Sequence, residues 1–296
     1  MSTSASSPSG SSSPSSPSLM DGPSRRLLKV RHHDMDTMEI KTKTLVATLY
    51  CETIKFTVYK LQIRSAVRNS DAGGWTLIKR YSEFFNFRET LLQLFQKWDQ
   101  ELGDDSKRLR SKEFALVTEL VLPALEIPNF PRKHMRCDNE AIVAERRQKL
   151  QQFVRKMIHA YVEISVFMHN TQTTTTRAFD RLRQIFVRLE NFLDIPQHQK
   201  DLDRRQTAAI LALEDVEVVQ SNDCNDRTCC ICLNDYDSDD TSESSEPFEE
   251  RMVKLPCSHQ FHEDCVIDWF NTSTTCPLCR KPAFLEEDVA LNVTVN

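Results

Sequence analysis

The sequence predicts an α+β chain in two folded parts. A three-stranded antiparallel sheet continued by a helical subdomain comes first, then a small metal-stabilised module, all behind a disordered Ser/Pro-rich N-terminus. Three observations predict this. Runs rich in β-branched and aromatic residues fill 45–81, the apolar spacing then changes to three or four residues from Phe84 to Leu193, and eight Cys and His residues fall at ligand spacing between Cys229 and Cys279. The expected boundaries are a disordered tail over 1–37, a first domain over 38–195, a linker over 196–225, a metal module over 226–284 with an acidic insert at 235–250, and a C-terminal tail over 285–296.

Residues 1–24 are mostly Ser, with Pro at 8, 14, 17 and 23. Such a composition cannot bury enough apolar area to offset the entropy of ordering. The strands are expected over Leu45–Tyr50, Lys55–Ile63 and Trp75–Tyr81, with the turn cluster Asn69–Gly74 between the last two. A helix follows on Phe84, Phe87, Leu91 and Leu94, with Ser82 as its cap. Residues 99–112 read as a charged loop, and Phe114–Leu125 as an apolar helix ended by Pro128. Ile127 to Lys133 is extended and proline-stiffened. Two amphipathic helices are expected over 139–161 and from Phe179 to Leu193, separated by Thr173–Thr176. The linker has room for one short helix over Thr207–Leu213.

Charge divides the chain. The net charge is -5, but residues 25–200 carry 31 Lys and Arg against 21 Asp and Glu, while residues 201–296 carry 7 against 21. The basic part suits an anionic partner, whether phospholipid, nucleic acid or an acidic protein. No apolar run is long enough to span a membrane, and no charged head with an apolar stretch marks a secretory signal. Ten cysteines, most of them paired at metal spacing, read as cytosolic zinc ligands rather than disulfides.

The ligand series is Cys229-x-x-Cys232, a gap of 24 residues, Cys257-x-His259-x-x-His262-x-x-Cys265, a gap of 10, and Cys276-x-x-Cys279. Eight thiolate and imidazole donors suffice for two tetrahedral zinc ions. The order, with His fourth and fifth, resembles the RING finger of the two-histidine subtype rather than a PHD finger. That resemblance implies interleaved structural sites, with Cys229, Cys232, His262 and Cys265 on one zinc and Cys257, His259, Cys276 and Cys279 on the other. Cys51, Cys137, Cys224 and Cys230 are then free thiols.

RING fingers act as ubiquitin ligases that hold a ubiquitin-loaded conjugating enzyme without forming a covalent intermediate. Their catalysis is positioning of a mobile conjugate. The resemblance implies that Ile231, Trp269 and Pro277 contact the conjugating enzyme. It also implies that Arg280, directly after the last ligand, hydrogen-bonds both enzyme and ubiquitin. The acidic gap is expected to be a solvated insert, with its serines as candidate phosphorylation sites.

In the basic part, Lys79-Arg80-Tyr81-Ser82-Glu83-Phe84 and Pro128-x-x-Pro131-x-Lys133, followed by Arg146-Arg147-x-x-Leu150-x-x-Phe153, resemble the two local motifs of the Phox homology (PX) domain. The resemblance implies phosphatidylinositol 3-phosphate as ligand: Arg80 on the 3-phosphate, Tyr81 beneath the inositol, Lys133 on the bridging phosphate and Arg146 on inositol hydroxyls. An arginine fork suits phosphate oxygens, and a lysine supplies a point charge. The loop 134–138 carries only Met135 and Cys137 as apolar residues, so stable recruitment is expected to need a second contact. No stacking platform favours nucleic acid, the runner-up partner.

Together these readings predict a cytoplasmic ubiquitin ligase, peripheral on endosomal membranes, with a conjugating enzyme, ubiquitin and an unidentified substrate protein as partners. The alternative is a non-enzymatic endosomal adaptor that uses one module for lipid and the other for protein.

Overall fold

The computed structural model describes residues 22–49, 54–67, 74–103, 107–108, 111–134, 139–170, 176–216, 229–233 and 251–285. The acidic gap from 234 to 250, the loop residues 135–138, and Cys51, Cys137 and Cys224 lie outside them.

The alternating segments form one antiparallel meander: β1 (Glu39–Leu49), β2 (Ile54–Arg64) and β3 (Gly74–Arg80), in the order β1-β2-β3. Register places Ile40 opposite Ile63 and Leu61 opposite Leu77, so the sheet's inner face is apolar and buried. Against that face lie α2 (Tyr81–Leu102) and α5 (Glu140–Asn170), and α3 (Lys112–Leu120), α4 (Leu122–Leu125) and α6 (Arg177–Leu193) pack on these helices to complete the same core. Phe84, Phe87, Phe153 and Phe192 interlock at the centre; the Phe87 and Phe192 rings stack at 3.8 Å, and Phe84 meets Phe192 edge-on at 5.3 Å.

Several local expectations change. The cap of α2 is Arg80, whose backbone N–H donates to the Glu83 carboxylate at 2.8 Å, so Ser82 lies inside the first turn. Gly103, with φ of 63°, closes α2 in the left-handed region, where a glycine has no Cβ to clash. The apolar stretch 114–125 is two helices rather than one, because Pro123 starts a new helix and cannot continue an old one. Helix α5 runs nine residues past the expected 161, and its extension buries Ile164, Val166 and Met168.

The larger differences lie at both ends of the first domain. Residues 22–37, expected in the disordered tail, form α1 (Gly22–Thr37). Residues 197–211, expected in the linker, form α7 (Gln197–Leu211), followed by β4 (Glu214–Asp215). Both helices cover apolar surface that the metal module offers. Leu27 and Val30 of α1, Val166 of α5, and Ala209, Ile210 and Leu213 share one buried cluster with Val253, Leu255, Phe261, Val266, Ile267 and Phe270. Burial of a Leu or Val side chain contributes about 1.5–3 kcal/mol, and this drives the order that Ser/Pro composition alone does not suggest.

The C-terminal sheet has the order β4-β5-β6, with β5 (Met252–Lys254) paired to β4 and to β6 (Gln260–His262), and α8 (Glu263–Phe270) follows. The linker therefore supplies an edge strand to the module it connects. Polar ties reinforce the seam. Arg26, only 3% exposed, donates to Glu263 at 2.8 Å and to the Leu213 carbonyl at 3.2 Å, and pairs with Asp215. Lys29 pairs with Asp264 at 2.7 Å, and Gln206 donates to Asn271 at 2.8 Å.

Candidate functional site

Each Cys-x-x-Cys pair is followed by a residue in the left-handed region: Leu233 with φ of 62° and Arg280 with φ of 59°. The same backbone bond closes both turns. Leu233 N–H donates to the Cys229 carbonyl at 2.7 Å, and Arg280 N–H to the Cys276 carbonyl at 2.9 Å. Both turns thereby bring two sulfurs to one point. Ser258, with φ of 68°, makes the related turn between Cys257 and His259.

Two groups of four result: Cys229, Cys232, His262 and Cys265, and Cys257, His259, Cys276 and Cys279, the donor atoms of each lying within 4.8 Å of one another. The pairing is the interleaved one, so each group joins segments far apart in sequence. Nδ1 of His262 faces Cys232 Sγ at 3.2 Å and Cys265 Sγ at 3.9 Å; Nδ1 of His259 faces Cys257 Sγ at 3.3 Å and Cys276 Sγ at 3.5 Å. A tetrahedral zinc with bonds of about 2.0–2.3 Å needs donor separations of roughly 3.3–3.8 Å, so both groups fit the ion.

The electrostatics agree. Burial pushes the Cys265 thiol up to about 12, aided by the neighbouring Cys229 and Cys232 sulfurs. Burial likewise pushes Cys276 up to about 11, whereas the Lys281 backbone N–H brings Cys279 down to about 7. Sulfurs this crowded cannot all carry negative charge by themselves, and a dication lets them do so. All four positions at each ion would be protein atoms, so the zinc ions are structural cross-links.

The residues that could face a partner ring this centre. Ile231 is half-buried and packs on the module's core; Pro277 is half-buried in the last turn, and Arg280 is exposed. Trp269 packs on the same core, and its indole N–H donates to the Thr275 carbonyl at 2.7 Å. Sequence reasoning passed over Leu278, which is 54% exposed beside Pro277, and Leu233, which is also exposed. Their positions within and just after the Cys-x-x-Cys turns were the available signal. Cys230 is exposed and belongs to neither group.

In the first domain, sheet alternation separates the basic pair at the end of β3. Lys79 lies opposite Tyr59 and pairs with Asp194 at 2.7 Å. Arg80 lies opposite Val58, so Phe56, two residues along β2, is its diagonal neighbour; the guanidinium lies 3.7 Å from the Phe56 ring. Tyr81 is the hub of the expected pocket. Its hydroxyl donates to the Pro131 carbonyl at 2.9 Å, and the Arg146 guanidinium lies 3.8 Å from its ring. Lys133 reaches the Phe85 ring at 5.0 Å, and Phe85 in turn lies 6.2 Å from Tyr81.

The four sequence-predicted residues thus converge on one edge of the domain, where β3, α2, the proline-stiffened segment and α5 meet. Arg80 and Lys133 are exposed, while Arg146 is 4% exposed. Phe56 and Phe85, which carry the two exposed cations, were not singled out from sequence; their spacing on β2 and α2 reads equally well as core.

Comparison with known proteins agrees with this geometry. Residues 227–280 match the family described as "Ring finger domain", and residues 67–172 match "PX domain". The chain carries a PX domain and a RING finger of the two-histidine subtype.

The chain is 43% identical over 53 residues to the E3 ubiquitin-protein ligase Iruka of Drosophila melanogaster, covering 18% of this chain and 11% of that protein. The RNF181 homolog of the same species, also named an E3 ubiquitin-protein ligase, is 38% identical over 74 residues, 24% of this chain and 42% of its own length. A putative RING-H2 finger protein of Arabidopsis thaliana, ATL50, is 29% identical over 131 residues, 43% of this chain and 56% of its own. The chain thus spans between about a tenth and just over half of the length of these relatives. No solved structure matches. Among the described residues no helix is long and apolar enough to cross a membrane.

Proposed function

We propose that this chain is a phosphoinositide-targeted RING-type E3 ubiquitin-protein ligase, which presents a ubiquitin-loaded conjugating enzyme at a membrane surface. The observation that carries the reading is the pair of complete, interleaved Cys/His groups with Ile231, Trp269, Pro277, Leu278 and Arg280 around them. The eight ligand side chains are committed to metal, and the finger takes no covalent step in this reading. Its work is to restrain a thioester conjugate, with apolar turn residues seating the enzyme and Arg280 donating across to ubiquitin.

The PX domain supplies the address. Arg80, presented by Phe56, is the phosphate fork; Tyr81 and Arg146 form the wall for the inositol ring, and Lys133 holds a second phosphate. One arginine fork at the end of β3 supports a 3-phosphorylated inositol lipid, and hence endosomal membranes. The seam built by α1, α7 and β4 supports a further step: the finger rides on the lipid domain at a set angle, so membrane docking also aims the conjugating enzyme.

Self-ubiquitination with purified components on phosphatidylinositol 3-phosphate liposomes tests both halves. Arg280→Ala is expected to keep its zinc and lose roughly tenfold or more in rate, the size of an interface contact worth about 1.4 kcal/mol. No activity with a broad panel of conjugating enzymes would leave an adaptor as the reading, and activity undiminished by both Arg280→Ala and Ile231→Ala would remove those two contacts. Arg80→Ala is expected to cut liposome sedimentation about ten- to a hundredfold, as for a charge-assisted hydrogen bond worth about 1.5–3 kcal/mol. Equal sedimentation of mutant and wild type would remove the lipid site.

A further inference from the structure

A third group of ligand-type side chains lies away from the finger, where α1 crosses α5: His32 on α1, and His159 and Glu163 on α5, their donor atoms within 4.8 Å of one another. His159 and Glu163 are four residues apart and so share one face of α5. Both imidazoles turn Nε2 toward the same carboxylate oxygen, Oε1 of Glu163: His159 at 3.7 Å and His32 in direct contact. The rings lie nearly parallel, 14° apart with centroids at 5.8 Å. Two imidazolium cations in that stack would repel one another. The carboxylate is only 14% exposed, and among the described residues its ion-pair partners are these two imidazoles, with no lysine or arginine.

We propose that His32, His159 and Glu163 form a third zinc site, which fastens α1 to α5. Two imidazole nitrogens and one carboxylate oxygen suit zinc, whereas calcium and magnesium take oxygen donors. The imidazoles are 45% and 41% exposed, so solvent reaches the site and water takes the fourth position. The site's role follows from what α1 does. The same helix carries Arg26, Leu27, Lys29 and Val30 into the seam with the finger. A metal that binds only the docked helix stabilises docking by mass action. Zinc occupancy here therefore holds the finger's mount on the PX domain, apart from the two ions that fold the finger itself.

The test is zinc stoichiometry by mass spectrometry on the tag-free full chain, equilibrated with low-micromolar free zinc. Three ions per chain are expected for the wild type, and two for His159→Ala and for His32→Ala. One ion should leave to a mild chelator without thiol release, while the other two stay until a thiol-blocking mercurial is added. Cobalt bound at the third site should give ligand-field absorption with no thiolate-to-metal charge-transfer band. Zinc should raise the melting temperature of the chain carrying its finger ions, and this rise should vanish in Glu163→Ala. The variants' own melting in chelator, compared with wild type in chelator, separates lost metal from lost folding. Two zinc ions in the wild type, three in the His159→Ala variant, or a third ion that binds only at millimolar metal would each overturn the site.

Discussion

Arg80 and Phe56 show how a side chain is aimed before any ligand arrives. The guanidinium rests on the ring at 3.7 Å, so a long and flexible donor is already part-ordered. Phe56→Ala is expected to weaken phosphoinositide binding about two- to fivefold, the size of an exposed cation–π contact of about 0.5–1 kcal/mol, with the fold unchanged. Liposome sedimentation beside a thermal melt checks it. Tyr81 has a different duty, since its hydroxyl bonds the Pro131 carbonyl and its ring meets Arg146. Tyr81→Phe is expected to cost about 0.5–1.5 kcal/mol in urea unfolding and to loosen the Lys133 segment. Residue types at these positions were legible in the sequence because motif and chemistry agree. The aromatic partners were not, since Phe56 and Phe85 look like core until the register of β2 and the face of α2 are known.

Helix α1 is the element whose meaning changed most. Its Ser/Pro-rich surroundings predict disorder, and its own composition is polar; yet Leu27 is fully buried and Val30 and Arg26 nearly so. The signal was present as Leu27, Leu28 and Val30 among arginines, but too short to stand against the composition. Leu27→Ala is expected to destabilise the finger by about 2–5 kcal/mol. Removal of residues 1–37 is expected to speed proteolysis between the domains, while removal of 1–21 alone leaves it unchanged; limited trypsin digestion followed by mass analysis distinguishes them. Helix α7 tells a similar story. Its buried apolar residues, Ala208, Ala209 and Ile210, lie at its C-terminal end, and its N-terminal part, rich in Gln, Lys, Asp and Arg, reads as linker. It folds because the finger and α1 cover that end.

At the scale of the molecule, two cores meet along a seam of helices rather than being strung on a tether. Removal of zinc should therefore melt the finger and spare the PX domain. Trp269 sits in the finger, bonded to Thr275, whereas Trp75 and Trp98 sit in the PX domain. Chelation with thiol blocking is expected to shift the Trp269 contribution to the fluorescence and leave the far-ultraviolet signal of the PX helices largely intact, with Trp269→Phe as the control. The sequence by itself determined the ligand set, the three-stranded meander in outline and the pairing of two module types, while β1 begins at Glu39 rather than Leu45 and Tyr81 opens α2 rather than ending β3. Each of these rests on local chemistry: a period, a spacing, a donor type. Only the tertiary structure decided that the tail and linker become α1, α7 and β4, that Phe56 and Phe85 present the cations, and that His32 meets His159 and Glu163. Those facts depend on which distant surfaces bury one another, and in a chain of alternating short apolar runs no local pattern records that choice.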